Sequence, residues 1–176
     1  MRFSDIRQIT QARYKINVPW DYLLVQLGNY TKEYRLELNP YFQRGYVWNM
    51  EQQQRYIEYI LSGGLSGREI LFNFSGWNSR LSKEEFCKRR MVCVDGLQRL
   101  TSVIKFLNNE VRAFGSYLCE FDDRVPNCAD FIFYVNDIES EEEVLQWYID
   151  FNSGGTVHTK EEIDKVKRML IKRRSK

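Results

Sequence analysis

Histidine is nearly absent from this chain, with His158 its single copy, and the four cysteines at 87, 93, 119 and 128 show no Cys-x-x-Cys spacing. A zinc site assembled from closely spaced Cys and His ligands is therefore not expected. No apolar run approaches the roughly 20 residues that span a bilayer, and the first fifteen positions are polar with scattered charge rather than a signal core. The expectation is a chain without membrane attachment in a reducing cytoplasm, with free thiols. Repeats, low-complexity stretches and a linker long enough to divide two domains are also lacking. A net charge of +2 gives no strong push toward nucleic acid.

What is present suits one folded unit over residues 1–176. Apolar residues make up 43% and aromatics 15%, enough to bury a substantial core. Charge is unevenly spread. Positions 137–143 hold five acids, whereas from Lys160 onward eight Lys or Arg face three acids. That basic end suits either a solvated terminal helix or attachment to nucleic acid.

Periodicity predicts helices over 20–27, 50–61, 97–107, 141–151 and 160–172, and strands over 35–38, 70–74, 91–94, 117–121 and 131–135. Pro19 opens the first helix, Ser62-Gly63-Gly64 closes the second, and positions 76–90 read as a surface excursion. The last helix carries its apolar stripe on Ile163, Val166, Met169 and Leu170. Strands and helices intermix without regular βαβ repetition, which predicts an α+β domain with a small mixed sheet flanked by helices.

Three segments could carry chemistry. In the first, a buried strand delivers Asp95, Gly96 permits a sharp turn, and Gln98 and Arg99 enter the next helix. The open N–H groups of a first helical turn favour an anion, and Arg99 adds a fork suited to phosphate oxygens. An acid beside them suits a Mg²⁺ ion on bound phosphates. Equally, Asp95 is a good helix N-cap, with Arg99 merely solvated. The second segment, Pro40-Tyr41-Phe42-Gln43-Arg44-Gly45-Tyr46-Val47-Trp48, surrounds one Arg with aromatics. Such a cluster could stack a base and clamp a phosphate, or simply be core. The third, Phe151-Asn152-Ser153-Gly154-Gly155, reads by itself as a helix C-cap.

Taken in order, the three segments resemble one family. The first motif is proline, aromatic, Gln-Arg, aromatic and Trp. Val94-Asp95-Gly96-Leu97-Gln98-Arg99-Leu100-Thr101 resembles the signature Asp-Gly-Gln-Gln-Arg-Leu-Thr, and the last segment resembles Phe, Asn and paired glycines before a helix. These are motifs of the Asp-Gly-Gln-Gln-Arg family of ParB/sulfiredoxin-like domains, found at the N-terminus of GmrSD-type restriction enzymes. The resemblance covers roughly residues 35 to 165.

It implies a ParB/sulfiredoxin-like α+β fold that binds a nucleoside triphosphate, with Mg²⁺ or another divalent cation, and hydrolyses it to gate DNA cleavage. Carried over by motif, Asp95, Gln98 and Arg99 would be catalytic, and Asp95 would hold the metal. Gln43, Arg44, Gly96, Arg99 and Thr101 would bind nucleotide, with Asn152 and Gly154 at the rim of the pocket. Implied partners are DNA and a separate nuclease or restriction subunit. Leu97 departs from the family's first Gln. The stretch also leaves no room for the His-Asn-His-type nuclease or helix-turn-helix domain that follows in relatives, and no Cys lies in the turn where a sulfiredoxin needs one. Three functions follow: an NTPase acting on or around DNA, a small metal-dependent DNA nuclease, and a non-catalytic inhibitor mimicking a restriction subunit.

Overall fold

A computed structural model describes residues 14–77, 81–153 and 160–174, without side chains at 153, 160–163 and 173–174. Four strands, β1 (Tyr14–Pro19), β2 (Glu69–Asn73), β3 (Val92–Asp95) and β4 (Asp130–Asn136), form a sheet in the order β1-β4-β2-β3. β4 runs antiparallel to β1 and parallel to β2, and β3 is antiparallel to β2. The helices are α1 (Trp20–Tyr34), α2 (Met50–Leu61), α3 (Lys83–Lys88), α4 (Leu97–Leu107), α5 (Glu141–Ser153) and α6 (Lys160–Arg174). The domain is α+β, as the intermixed pattern predicts.

The period-2 alternation of the strands sorts their side chains into two cores. Ile70, Phe72, Cys93, Phe131, Phe133 and Val135 face Trp20, Leu23, Ile57, Leu100 and Phe106 of α1, α2 and α4. On the other face Leu71 and Val94 meet Phe42, Leu145, Tyr148 and Ile149, closed by Val166 and Leu170 of α6. The sheet is thus the middle of three layers. Arg68, 7% exposed, donates to the carbonyls of Gly64 and Cys128 and pairs with Asp130, fixing the start of β4.

The central helices form where their signals stand. Asn49 and Gln52 make a reciprocal capping box at the start of α2. α1 runs to Tyr34, further than expected, and ends on Arg35 in the left-handed region, φ 53°. That turn removes the expected 35–38 strand. Only Glu37 pairs, through a parallel bridge to Val92 at the edge of β3. The expected 117–121 strand is a 3₁₀ turn, Leu118–Glu120, because Glu120 and Asn109 accept the N–H groups of Tyr117 and Cys119. Such local side-chain bonds compete with a ladder and here win. β1 was not anticipated, and α3 interrupts the surface excursion behind a Ser82–Glu85 capping box.

Among the described residues no helix is long and apolar enough to cross a membrane. All four cysteines are free thiols, with Cys87, Cys119 and Cys128 exposed and Cys93 buried. Burial, with the Asp95 charge close by, pushes the Cys93 thiol up out of the reactive range. Native protein should therefore react with a thiol reagent at three sites, and at the fourth only after denaturation. Four equally fast sites would show that the β2–β3 edge opens.

Candidate nucleotide and nucleic-acid site

β3 leads into α4 through a single residue, Gly96, at φ 99°. A Cβ there would stand 2.5 Å from Ile70 Cδ1 and 3.3 Å from the Glu69 carbonyl oxygen. Glycine is needed both for the backbone sign and for the close passage of β2. The helix thus opens on a residue that has no side chain to cap it. The N–H groups of its first turn have no acceptor within the helix and no cap from Gly96.

Asp95 is not the N-cap. Its carboxylate pairs with Arg99, four residues on, and the two side chains are 18% and 24% exposed. The Arg99 guanidinium also donates to the Glu69 carbonyl at 3.0 Å, and its aliphatic stem passes beneath Gly67. Its buried Nε has no hydrogen-bond partner. Arg99 is therefore neither solvated nor fully satisfied. Nearby, burial pushes the Tyr56 hydroxyl up, and the Arg99 and Arg68 charges offset that shift in part. Tyr56 stays a neutral donor, bonded to the Gly67 carbonyl at 2.7 Å.

Gln98 turns the other way, onto the 40–48 loop. Its Nε2 donates to the Gly45 carbonyl at 2.7 Å, and its Oε1 accepts from the N–H groups of Val47 and Trp48 at 2.9 and 3.1 Å. Gln43 makes the matching contact, donating to the Cys93 carbonyl on β3 at 2.6 Å. The two glutamines pin the loop to both sides of the β3–α4 turn, with the half-buried Arg44 between them. Tyr46 adds a contact with the Ser102 hydroxyl at 3.3 Å, and Lys105 lies 4.7 Å from its ring centroid.

The structure thus gathers Gln43, Asp95, Gly96, Gln98 and Arg99 around one turn, with Arg44 on the pinned loop. Thr101 stands half-buried one turn into α4. Asn152 is 8% exposed and donates to the Tyr148 carbonyl at 2.7 Å, so its amide serves its own helix. Gly154 lies outside the described residues. Leu97, where the signature has Gln, is buried. Among the described residues no three His, Cys, Asp or Glu side chains gather as metal ligands. Of the proposed site residues, only Asp95 carries a carboxylate.

The role of Gln98 as a tie to the loop was not legible beforehand, because an amide reads the same in sequence whether it faces ligand or backbone. The close passage at Gly96 gives a direct check. Gly96→Ala should lower stability by about 2 kcal/mol or more, from left-handed strain and the Ile70 clash together. Gly63, with φ 87° and open space where its Cβ would sit, isolates the strain. Gly63→Ala should cost only about 1 kcal/mol. Equal losses in urea denaturation would mean that β2 gives way freely.

Against known proteins, neither the curated proteins nor the solved structures contain a match to this chain. Its sequence does match the family described as GmrSD restriction endonuclease, N-terminal domain, over residues 26–127. That stretch is more than half of the chain and holds both the 40–48 loop and the β3–α4 turn. The chain belongs to the family of GmrSD restriction endonuclease N-terminal domains.

Proposed function

We propose that this domain binds a nucleoside triphosphate at the β3–α4 turn and hydrolyses it in the service of DNA restriction, alongside a separate nuclease or restriction subunit. The observation that carries the proposal is the Asp95–Arg99 pair beside the uncapped start of α4. An acid and a guanidinium there are each other's counterions. A triphosphate with its Mg²⁺ brings an anion for Arg99 and a cation for Asp95, so both charges stay paired when the ligand binds. One carboxylate is enough for this, because Mg²⁺ in such sites takes most of its ligands from phosphate and water.

The chemistry of phosphoryl transfer is mainly positioning and neutralisation of charge. The bound ion supplies charge on the phosphates. Arg99, with its unpartnered Nε, and the first N–H groups of α4 hold the phosphate oxygens. Asp95 orients the attacking water and would be the residue that holds the ion. Gln98 and Gln43 act as positioning residues, since their amides are committed to the Gly45–Trp48 backbone and to Cys93. Arg44 and Thr101 are secondary contacts. The ParB/sulfiredoxin-like likeness of the motifs supports the same placement.

A second reading, a non-catalytic module that binds a restriction subunit, is favoured by Leu97. Its burial leaves the signature one polar group short. Thermal shift with each of four triphosphates, with and without Mg²⁺, separates the two, because a ligand that binds only the native state raises the melting temperature. Asp95→Asn keeps an acceptor for Arg99 but removes the charge. It should lower phosphate release on the order of 10²-fold, measured well below a melting temperature that itself falls because Arg99 loses its counterion. Arg99→Ala should weaken triphosphate binding. No shift with any nucleotide and no phosphate release, with or without DNA, would leave the interaction module as the function.

A further inference from the structure

A concavity of about 330 Å³ opens on the opposite face of the sheet from α4, between the 40–48 loop, the end of α3 and the turn from β4 into α5. It reaches Val92 rather than Asp95. The two are three positions apart along β3, about 10 Å at the rise of a strand. It is therefore a different place from the triphosphate site.

Its walls differ in charge. Lys88, Arg89 and Arg90 form one of them, at the end of α3. Arg89 is set by a 2.8 Å hydrogen bond to the Ser75 hydroxyl. Among the described residues, Lys88 and Arg90 hold only solvent-exposed ion pairs, with Glu84 and at 3.9 Å with Glu37. Exposed pairs of this kind contribute little and exchange readily for a phosphate. The facing wall presents Glu139, which makes no hydrogen bond or ion pair among the described residues. Its position is fixed nonetheless. The buried Asn73 amide donates to the Ile138 carbonyl at 3.0 Å and accepts the Ile138 N–H at 2.9 Å, holding the turn just before it.

Tyr41, 50% exposed, lines the same cleft. Its hydroxyl donates to Glu141, and its ring meets Phe42 edge-on at 5.5 Å, which in turn packs on Tyr148 at 5.4 Å. The ring is anchored at its hydroxyl end and backed by core. Cations, a half-exposed aromatic ring and a carboxylate that line one cleft match the parts of a nucleotide. These are phosphate, a flat π-face and a base edge bearing an amino group.

We propose that this cleft receives one unpaired nucleotide of a DNA strand. Lys88, Arg89 and Arg90 take its phosphate, Tyr41 stacks its base, and Glu139 accepts from its exocyclic amino group. Pairing occupies that amino group and hides the base face, so the cleft selects unpaired bases. Thymine has no exocyclic amine and is disfavoured. The proposal rests on the reading that the domain works on DNA, and it is independent of triphosphate hydrolysis.

Fluorescence anisotropy on the whole chain tests it, with short labelled oligo(dC), oligo(dT) and the same length of blunt duplex. Oligo(dC) should bind about tenfold more tightly than oligo(dT), and the duplex more weakly than either. Glu139→Gln gains a donor for thymine O4 and should bring the ratio close to one while oligo(dT) affinity holds or rises. Arg90→Ala and Lys88→Ala, both at exposed positions, should weaken both oligonucleotides severalfold and reduce the salt dependence by roughly 0.7 of a logarithmic slope each.

Equal affinity for the two oligonucleotides overturns the proposal, as does a preference that survives Glu139→Gln or affinity untouched by Arg90→Ala. Displacement by poly-glutamate without any base preference would assign the cations to an acidic peptide and overturn it too. A triphosphate that raises the melting temperature while no oligonucleotide binds removes this cleft and leaves the triphosphate site standing. Base-selective binding without any response to triphosphate does the reverse.

Discussion

The 40–48 loop has no helix or strand of its own, yet it lies against the sheet, and its backbone polar groups must find partners there. Two glutamines meet that constraint. Gln98 gives one donor and one acceptor to the Gly45–Trp48 stretch, and Gln43 returns a donor to the Cys93 carbonyl. An amide carries donor and acceptor on two separate atoms of one side chain, so it can serve groups of both polarities at once. A glutamate at 98 could accept from Val47 and Trp48 but would face the Gly45 carbonyl with a second acceptor. From these bonds follow the position of Arg44, the entry to α2 through Trp48, whose carbonyl Gln53 also binds, and the seating of Phe42 on the second core.

That constraint explains which features were legible in the sequence. The helices over 50–61 and 97–107 match their expected bounds because apolar period and terminal signals agree there: a capping box at Asn49 and a glycine ahead of Leu97. β1 escaped because its alternating Tyr14, Ile16 and Val18 sit on an edge strand beside a polar segment. The 35–38 and 117–121 segments have strand composition, but a left-handed Arg35 and the local bonds of Glu120 and Asn109 decide otherwise. At the site, sequence order located the turn and the loop correctly. It could not say that Asp95 would pair with Arg99 instead of capping α4, nor that Asn152 would turn back to its own helix. Those outcomes depend on which partner comes within 3 Å after folding, and residue type does not encode that.

Charge at the turn is balanced without being spent. Asp95 and Arg99 are mostly buried and close the local account between them, which avoids the cost of a lone buried ion. One guanidinium nitrogen is left without an acceptor, and a backbone carbonyl rather than a second acid takes part of the rest. A pair held by two acids would resist exchange, and a solvated Arg would need to be ordered anew. This intermediate state suits a site that must stay neutral when empty and accept a highly charged ligand.

The proposed triphosphate turn and the proposed nucleotide cleft lie toward opposite ends of the same pinned loop. Gln98 belongs to the first turn of α4, beside Arg99, and its amide grips Gly45, Val47 and Trp48. Four residues before Gly45, Tyr41 lies in the cleft. If Arg99 leaves Asp95 for a phosphate, the first turn of α4 is loaded at its open end, and Gln98 moves only by dragging the loop with it. Adjacency alone does not establish coupling, which needs an element with two arrangements that both ligands bias. The structure shows the Asp95–Arg99 pair closed on itself; on the proposed function, its division between an ion and a phosphate would be the second arrangement. A loop fixed by glutamine amides would carry that difference toward Tyr41, whereas a loop solvated along its length would dissipate it.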